Sequence, residues 1–362
     1  MTPTGEASAS PPGTGPEDAP TGWRLRRKGE RPETRMFFDD DADLSLVTGK
    51  CIAVIGYGNQ GRSQALNMRD QGLHVIVGES NEATIAQARG DGFDVYDAAN
   101  AAARADIIFF LTPDEVQPEI YQRAILPHLK PGKILDFASG FNICFGFITP
   151  APGVDVIMIA PRMIGKGVRD TFLAGMGFPS LIGIAQDASG RALDYTLALC
   201  KGIGSTKMGV VMSSFEEEAV LDIFDEHSSA LYAMRATFEV LVEEYGFTPE
   251  AVLLEMYASG EGVSWAQAAV DLGFWHRLKL GSHTAQYGLE IVGRRYFDEQ
   301  GTKQAVRKRV EYISSGEFAK EWMLERAAGM PMVKRMRERN LAHPMIEIED
   351  RLYKALGRRP KS

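Results

Sequence analysis

The chain has 362 residues, a formal net charge of −8, 44% apolar residues and 24% charged residues. These values suit a soluble globular protein of two ordinary domains. The negative balance gives no reason to seek nucleic acid or an anionic membrane, and no apolar run approaches the length of a membrane span. Basic clusters at 307–309 and 334–339 are interleaved with or flanked by acidic and apolar residues and read as solvated helix faces. Cys51, Cys144 and Cys200 lack metal-like spacing, so a reducing, cytoplasmic setting with unpaired thiols is expected.

Residues 1–34, rich in Pro, Gly, Ser and Thr before a short basic run, are expected to be a disordered extension. Order is predicted to begin near Met36. Short apolar strands are predicted at 50–55, 75–77, 93–95, 107–111, 134–137, 156–159 and 180–185, the earlier ones alternating with helices at 60–68, 83–89 and 98–105. Such alternation argues a mostly parallel sheet covered on both faces. After residue 207 the pattern turns helical, at 215–245, 249–258, 263–272, 283–296 and 302–326. The expected organisation is an α/β dinucleotide-binding domain over 35–206, a helical domain over 207–345 and a C-terminal tail over 346–362.

The sequence Gly56-Tyr57-Gly58-Asn59-Gln60-Gly61 follows the strand at 50–55 and opens a helix. That context turns a weak glycine pattern into a Rossmann fingerprint. The first-turn amides meet a pyrophosphate, and the missing side chains allow close approach. Glu79 follows Gly56 by about 20 residues, the usual distance for a carboxylate on the adenosine ribose. With Glu82 nearby and no arginine in the turn, the pattern favours NADH over NADPH. Ser80, Pro113, Asp114 and Gln117 complete the cofactor candidates.

The run from Ser214 to Glu226 is acidic and periodically apolar. Leu221 and Phe224 are expected to pack, while Asp222 and Glu226, four apart, share another stripe. Two carboxylates so placed suit Mg²⁺, which takes few protein oxygens and keeps its waters. A solvated helix face has the same spacing.

At this point the chain resembles the ketol-acid reductoisomerase (acetohydroxyacid isomeroreductase) family over roughly 36–344. The resemblance lies in Asp43-Leu44-Ser45-Leu46, the glycine loop, Pro113-Asp114-Glu115-Val116-Gln117, Gly140-Phe141-Asn142-Ile143, Asp155-Val156-Ile157-Met158 and Ser315-Gly316-Glu317-Phe318-Ala319-Lys320-Glu321-Trp322. It implies an NAD(P)H-binding domain before a knotted helical domain, in subunits that pair so that helices complete the active sites. It also implies two Mg²⁺ ions, an alkyl migration in an acetohydroxy acid, and reduction of the resulting keto group. By position Asp222 resembles the carboxylate that bridges both ions, Glu226 a ligand of the first and Glu255 of the second, while Ser282 resembles the serine on the substrate carboxylate.

Four departures alter that chemistry. Ser259 stands where the family has a second-metal glutamate, and Ser139 where it has a histidine before Gly-Phe-Asn-Ile. Pro161-Arg162-Met163-Ile164-Gly165-Lys166 replaces Pro-Lys-Gly-Pro-Gly-His, and Gln286 replaces a glutamate. Serine cannot buffer protons near neutrality as imidazole does. The expectation is therefore an NAD(P)H-dependent oxidoreductase with one Mg²⁺ rather than two, on Asp222 and Glu226 and completed by Glu255 or His283. Its substrate would be a small carboxylate-bearing keto or imino acid anchored by Arg162, Lys166 and Ser282, with metal-bound water, Lys166 or His227 as proton source. Ser139 is the remaining catalytic candidate, and a homodimer or larger homo-oligomer is expected. The alternatives are authentic ketol-acid reductoisomerase activity on an unusual metal site, a non-redox isomerase or lyase, and a nucleotide-binding protein without catalysis.

Overall fold

The computed structural model describes residues 35–359; the predicted extension lies outside them. The first half is a nine-stranded sheet: β1 (Met36–Phe37), β2 (Cys51–Ile55), β3 (His74–Gly78), β4 (Asp94–Tyr96), β5 (Ile107–Phe110), β6 (Ile134–Phe137), β7 (Asp155–Pro161), β8 (Ser180–Gln186) and β9 (Val210–Met212), in the order β1-β9-β8-β7-β6-β5-β2-β3-β4. From β4 across to β7 all neighbours are parallel. The central strands are largely apolar because both faces are covered: β5, β6 and β7 are buried at every position.

The packed helices are α1 (Asn59–Asp70), α2 (Glu82–Gly90), α3 (Ala98–Arg104), α4 (Gln117–Ile120), α5 (Phe141–Cys144), α6 (Gly165–Leu173) and α7 (Ala192–Ile203). One core joins α1 and α7 to one face around Val54, Phe109 and Ile157. The other gathers Ala53, Phe110, Leu135 and Met158 with α3 and Tyr121. Six of the eight neighbouring strand pairs are parallel, in keeping with the expected mostly parallel sheet. β8 runs antiparallel to β7. β9 pairs with β8 in parallel and with β1 in antiparallel register. The sheet therefore continues past the expected boundary at residue 206 to Met212.

The second half is helical: α8 (Phe215–Glu226), α9 (Ala230–Glu239), α10 (Pro249–Leu253), α11 (Glu261–Leu272), α12 (His283–Tyr287), α13 (Gly293–Tyr296), α14 (Glu299–Ser314), α15 (Glu317–Ala327), α16 (Pro331–Leu341) and α17 (Pro344–Ala355). Wider turns extend α9, α10 and α12 through Val240–Glu244, Leu254–Ala258 and Gly288–Val292. α17 corrects the expected tail: its apolar stripe buries Leu352 against Phe238, Val252 and Leu253. Phe141 of α5 packs with Val220 and Ile223 of α8, Ile313 and Ala319, locking the two halves together. Cys51, Cys144 and Cys200 are free thiols. Among the described residues no helix is long and apolar enough to cross a membrane.

Candidate functional site: a glycine loop and an acidic cavity

At the end of β2 the chain turns at Gly56, whose φ is +95°. A Cβ there would stand 2.8 Å from the Thr112 backbone nitrogen, and one at Gly61 only 1.9 Å from the Gly56 carbonyl oxygen. Both positions must lack a side chain for α1 to start against the strand end. Gly58 caps α1 without a side-chain hydrogen bond, so the first-turn amides remain directed at an incoming anion. Beside the loop, Thr112 Oγ1 is buried without a partner among the described residues. Gln60 donates to the Met163 carbonyl at 2.8 Å, and a Cβ on Gly165 would reach to 2.1 Å from the Asn59 carbonyl oxygen. α6 thus clamps the loop from one side. Tyr57 turns inward, its hydroxyl donating to Asp91 at 2.9 Å.

Glu79 closes the other side. Its carboxylate accepts from the backbone N–H groups of Tyr57 at 3.0 Å, Ser80 at 2.7 Å and Asn81 at 3.0 Å. Three convergent amides form an anion-binding concavity, and here a side-chain anion already fills it.

The acidic helix begins at Ser214, whose hydroxyl accepts from the Glu217 N–H, with Glu216, Glu217 and Glu218 in the first turn. Cap and acids both suit the positive end of a helix. Phe215, Ala219, Val220 and Ile223 face inward while Leu221, expected to pack, is exposed. Asp222 and Glu226 line a cavity of about 290 Å³ together with Asp114, Glu115, Ser139 and Phe141 of the sheet half and Phe318 and Trp322 of α15. Gly140 makes this meeting possible. A Cβ on it would stand 1.9 Å from the Phe215 carbonyl oxygen, and its N–H donates to Glu218 Oε2 at 2.7 Å.

Glu218, one helical turn before Asp222, went unremarked in the sequence reading. It is buried, and Arg162 reaches both acids, donating to Glu218 Oε1 at 2.7 Å and to Asp222 Oδ1 at 2.9 Å. Burial raises the Glu218 carboxyl above its ordinary range against the opposing effects of the Gly140 N–H and Arg162. Burial also raises Glu226, with Asp222 and Asp225 adding to it. Asp114 is pushed up to about 7 by burial, while its hydrogen bond with Ser139 opposes and the charges of Glu218, Glu115 and Asp222 add. A carboxyl that holds its proton near neutrality is suited to acid–base work.

Other predicted residues lie elsewhere. Lys166 pairs with Asp170 along α6, its side chain 80% exposed, and does not line the cavity. Ser282 caps α12 by accepting from the Ala285 N–H and lines a separate depression with Trp265 and Glu261. Glu255 lies on the turn after α10, among residues packed on α17, and is not among the cavity residues of its own chain. Gln117 is a structural tie: its amide donates to the Phe110 and Thr112 carbonyls and its oxygen accepts from Asn142. Pro113 flanks the short turn that delivers Asp114. His227 packs edge-on against Phe318, 4.6 Å between ring centres, and burial lowers its pKa.

Residues 46–209 match the acetohydroxy acid isomeroreductase NADPH-binding domain, and 215–357 the ketol-acid reductoisomerase C-terminal domain. The chain belongs to the ketol-acid reductoisomerase family. It is 47% identical to "Putative ketol-acid reductoisomerase 3" of Saccharolobus solfataricus, covering 88% of this chain and 97% of that protein. It is 41% identical to the "Ketol-acid reductoisomerase (NADP(+))" of Pyrobaculum calidifontis, covering 89% and 98%. The structure of an NADH-preferring ketol-acid reductoisomerase from an uncultured archaeon superposes with a TM-score of 0.82 at 36% identity, covering 88% and 98%. This protein is thus an NAD(P)H-dependent oxidoreductase of that family.

The carboxylates test which metal complement fits. Asp222 and Glu226 on one stripe provide two oxygen donors, enough for one Mg²⁺ with waters. Among the described residues of one chain, no group of three potential ligands comes together.

Proposed function

We propose that this reductoisomerase-family enzyme uses NADH to reduce a small carboxylate-bearing 2-keto or 2-imino acid, and that acetolactate conversion is not its main reaction. The observation that carries this is the cavity in which Asp114 and Ser139 face Asp222 and Glu226, with no imidazole among its lining residues. When bound, NADH supplies the hydride and Mg²⁺ polarises the substrate carbonyl. Gly56, Gly58, Asn59, Gln60 and Gly61 hold the pyrophosphate, with Thr112 and Pro113 beside them. Glu79 accepts from the ribose hydroxyls and, by filling its amide concavity, leaves no place for a 2′-phosphate. The NADH-preferring relative of similar fold supports this choice.

Asp222 and Glu226 would hold the ion, with Glu255 of a second copy as a further donor in a homodimer or larger assembly. Asp114, beside Ser139 in the cavity lining, would hold a proton there and supply it to the substrate oxygen or nitrogen in the reduction. Arg162 is engaged by two carboxylates and Lys166 by Asp170, so neither is the substrate anchor first expected. Phe318 and Trp322 exclude water. The second reading, authentic ketol-acid reductoisomerase activity, is favoured by the preserved Asp222 and Glu226.

One experiment separates them: initial rates with acetolactate and with a panel of branched 2-keto and 2-imino acids, using each cofactor at several Mg²⁺ concentrations. The expected result is turnover with NADH on the panel at least about a hundredfold above acetolactate, the order of a missing acid–base group. In Glu79→Gln, discrimination against NADPH should weaken about tenfold. Comparable acetolactate turnover would sink the substrate assignment, and unchanged discrimination would sink the role of Glu79.

A further inference from the structure

We infer that Arg162 is a resident cation that takes the place of a second metal ion, so that the site accepts at most one exchangeable divalent ion. The inference rests on the magnesium reading above. It starts from the guanidinium fork: Nη1 to Asp222 Oδ1 at 2.9 Å, Nη2 to Glu218 Oε1 at 2.7 Å, and Nε toward the Ala160 carbonyl at 3.4 Å. The Glu218 side chain is 1% exposed, and its other oxygen accepts from Gly140. Both oxygens of that buried acid are therefore taken by the chain.

By resemblance Asp222 is the carboxylate that would join two ions. Here one of its oxygens already carries a permanently charged, planar partner, which holds a fixed direction better than an ammonium does. A dication approaching the same oxygen would meet that positive charge at close range. Asp222 and Glu226 line the cavity, and the Asp222 oxygen not held by Arg162, with the Glu226 carboxylate, would suffice for one ion. Ser259 is consistent with this. An acid for a second ion is superfluous where the chain carries the cation, and the serine hydroxyl instead accepts from the Glu261 N–H at 3.3 Å, at the start of α11.

The test counts Mn²⁺ bound per chain, by equilibrium dialysis with electron paramagnetic resonance, for the full-length protein and for Ser259→Glu, Arg162→Lys and the double variant. Lysine keeps a charge beside buried Glu218 but cannot bridge both acids. NADH titration of the same samples reports that each variant is folded. The expected counts are one ion for the parent and for Ser259→Glu, and two for the double variant. Two ions in the parent or in Ser259→Glu alone, or one in the double variant, would overturn the inference. A parent that binds no Mn²⁺ while the double variant gains a site would sink the magnesium reading and support the role of Arg162.

Discussion

Glu218 organises the site at the residue scale. It couples the loop that carries Ser139 to the arginine that holds Asp222, and it adds to the negative field that keeps Asp114 protonated. The consequence for pH follows from the direction of that shift. Asp114 titrates near the ordinary carboxylate value of 3.8 when unfolded and at about 7 when folded. Its contribution to stability is full below 3.8 and is lost as pH rises through about 7. Asp114→Asn, which cannot ionise, should leave thermal stability near pH 4 little changed. At pH 8 in EDTA it should raise the melting temperature by about 2–4 °C, while activity falls. Calorimetry across that window checks it, and a pH-independent difference would refute the buried-proton account. The sequence already held the signal for Glu218: acids at 218, 222 and 226 form one stripe at successive turns. It was hidden because periodicity shows which residues share a face, and not which end of the face is covered. Lys166 misled for the opposite reason, since a cation beside a motif need not point toward the cavity.

Elements position these residues through close backbone approaches. α5 and α8 meet where Gly140 touches Phe215, so any side chain at 140 must push the helix away. Gly140→Ala should cost about 1–3 kcal/mol, the usual penalty of overpacking. It should lower kcat at least about tenfold while NADH affinity holds, because the glycine loop lies on another strand end. Denaturant melts and fluorescence titration of NADH would show the split, and a parallel loss of cofactor affinity would mean the two sites are not separable. The central Rossmann strands were legible because they are short, largely apolar runs. β1 and β9 were not, being two and three residues long, too short for any period to register. α17 escaped notice because its partner stripe lies on α10, about a hundred residues earlier in the chain.

For the whole molecule, two expected halves are present, but the residues assigned to one site are dispersed within a single chain. Asp222 and Glu226 line the cavity, whereas Glu255 and Ser282 do not. A linear sequence cannot say whether a residue serves its own chain or a neighbour. The helical half exposes Leu231, Val263, Val270, Trp275 and Tyr296, each at least 68% accessible, side chains that pairing of subunits would cover. If Glu255 acts across such an interface, Asp222→Asn and Glu255→Gln chains should each be nearly inactive alone and recover activity when mixed and reassembled. Absence of recovery would place Glu255 outside the site. One further consequence concerns motion. β9 leads directly into α8, and the Ser213 N–H is held by the Ile182 carbonyl at 2.7 Å, so the wall bearing Asp222 is anchored to the same sheet as the glycine loop. The two walls cannot swing apart as a hinge without tearing ladder hydrogen bonds. Phe318 and Trp322, which line the cavity from α15, lie outside that junction, so α15 is the wall free to adjust when a small molecule enters.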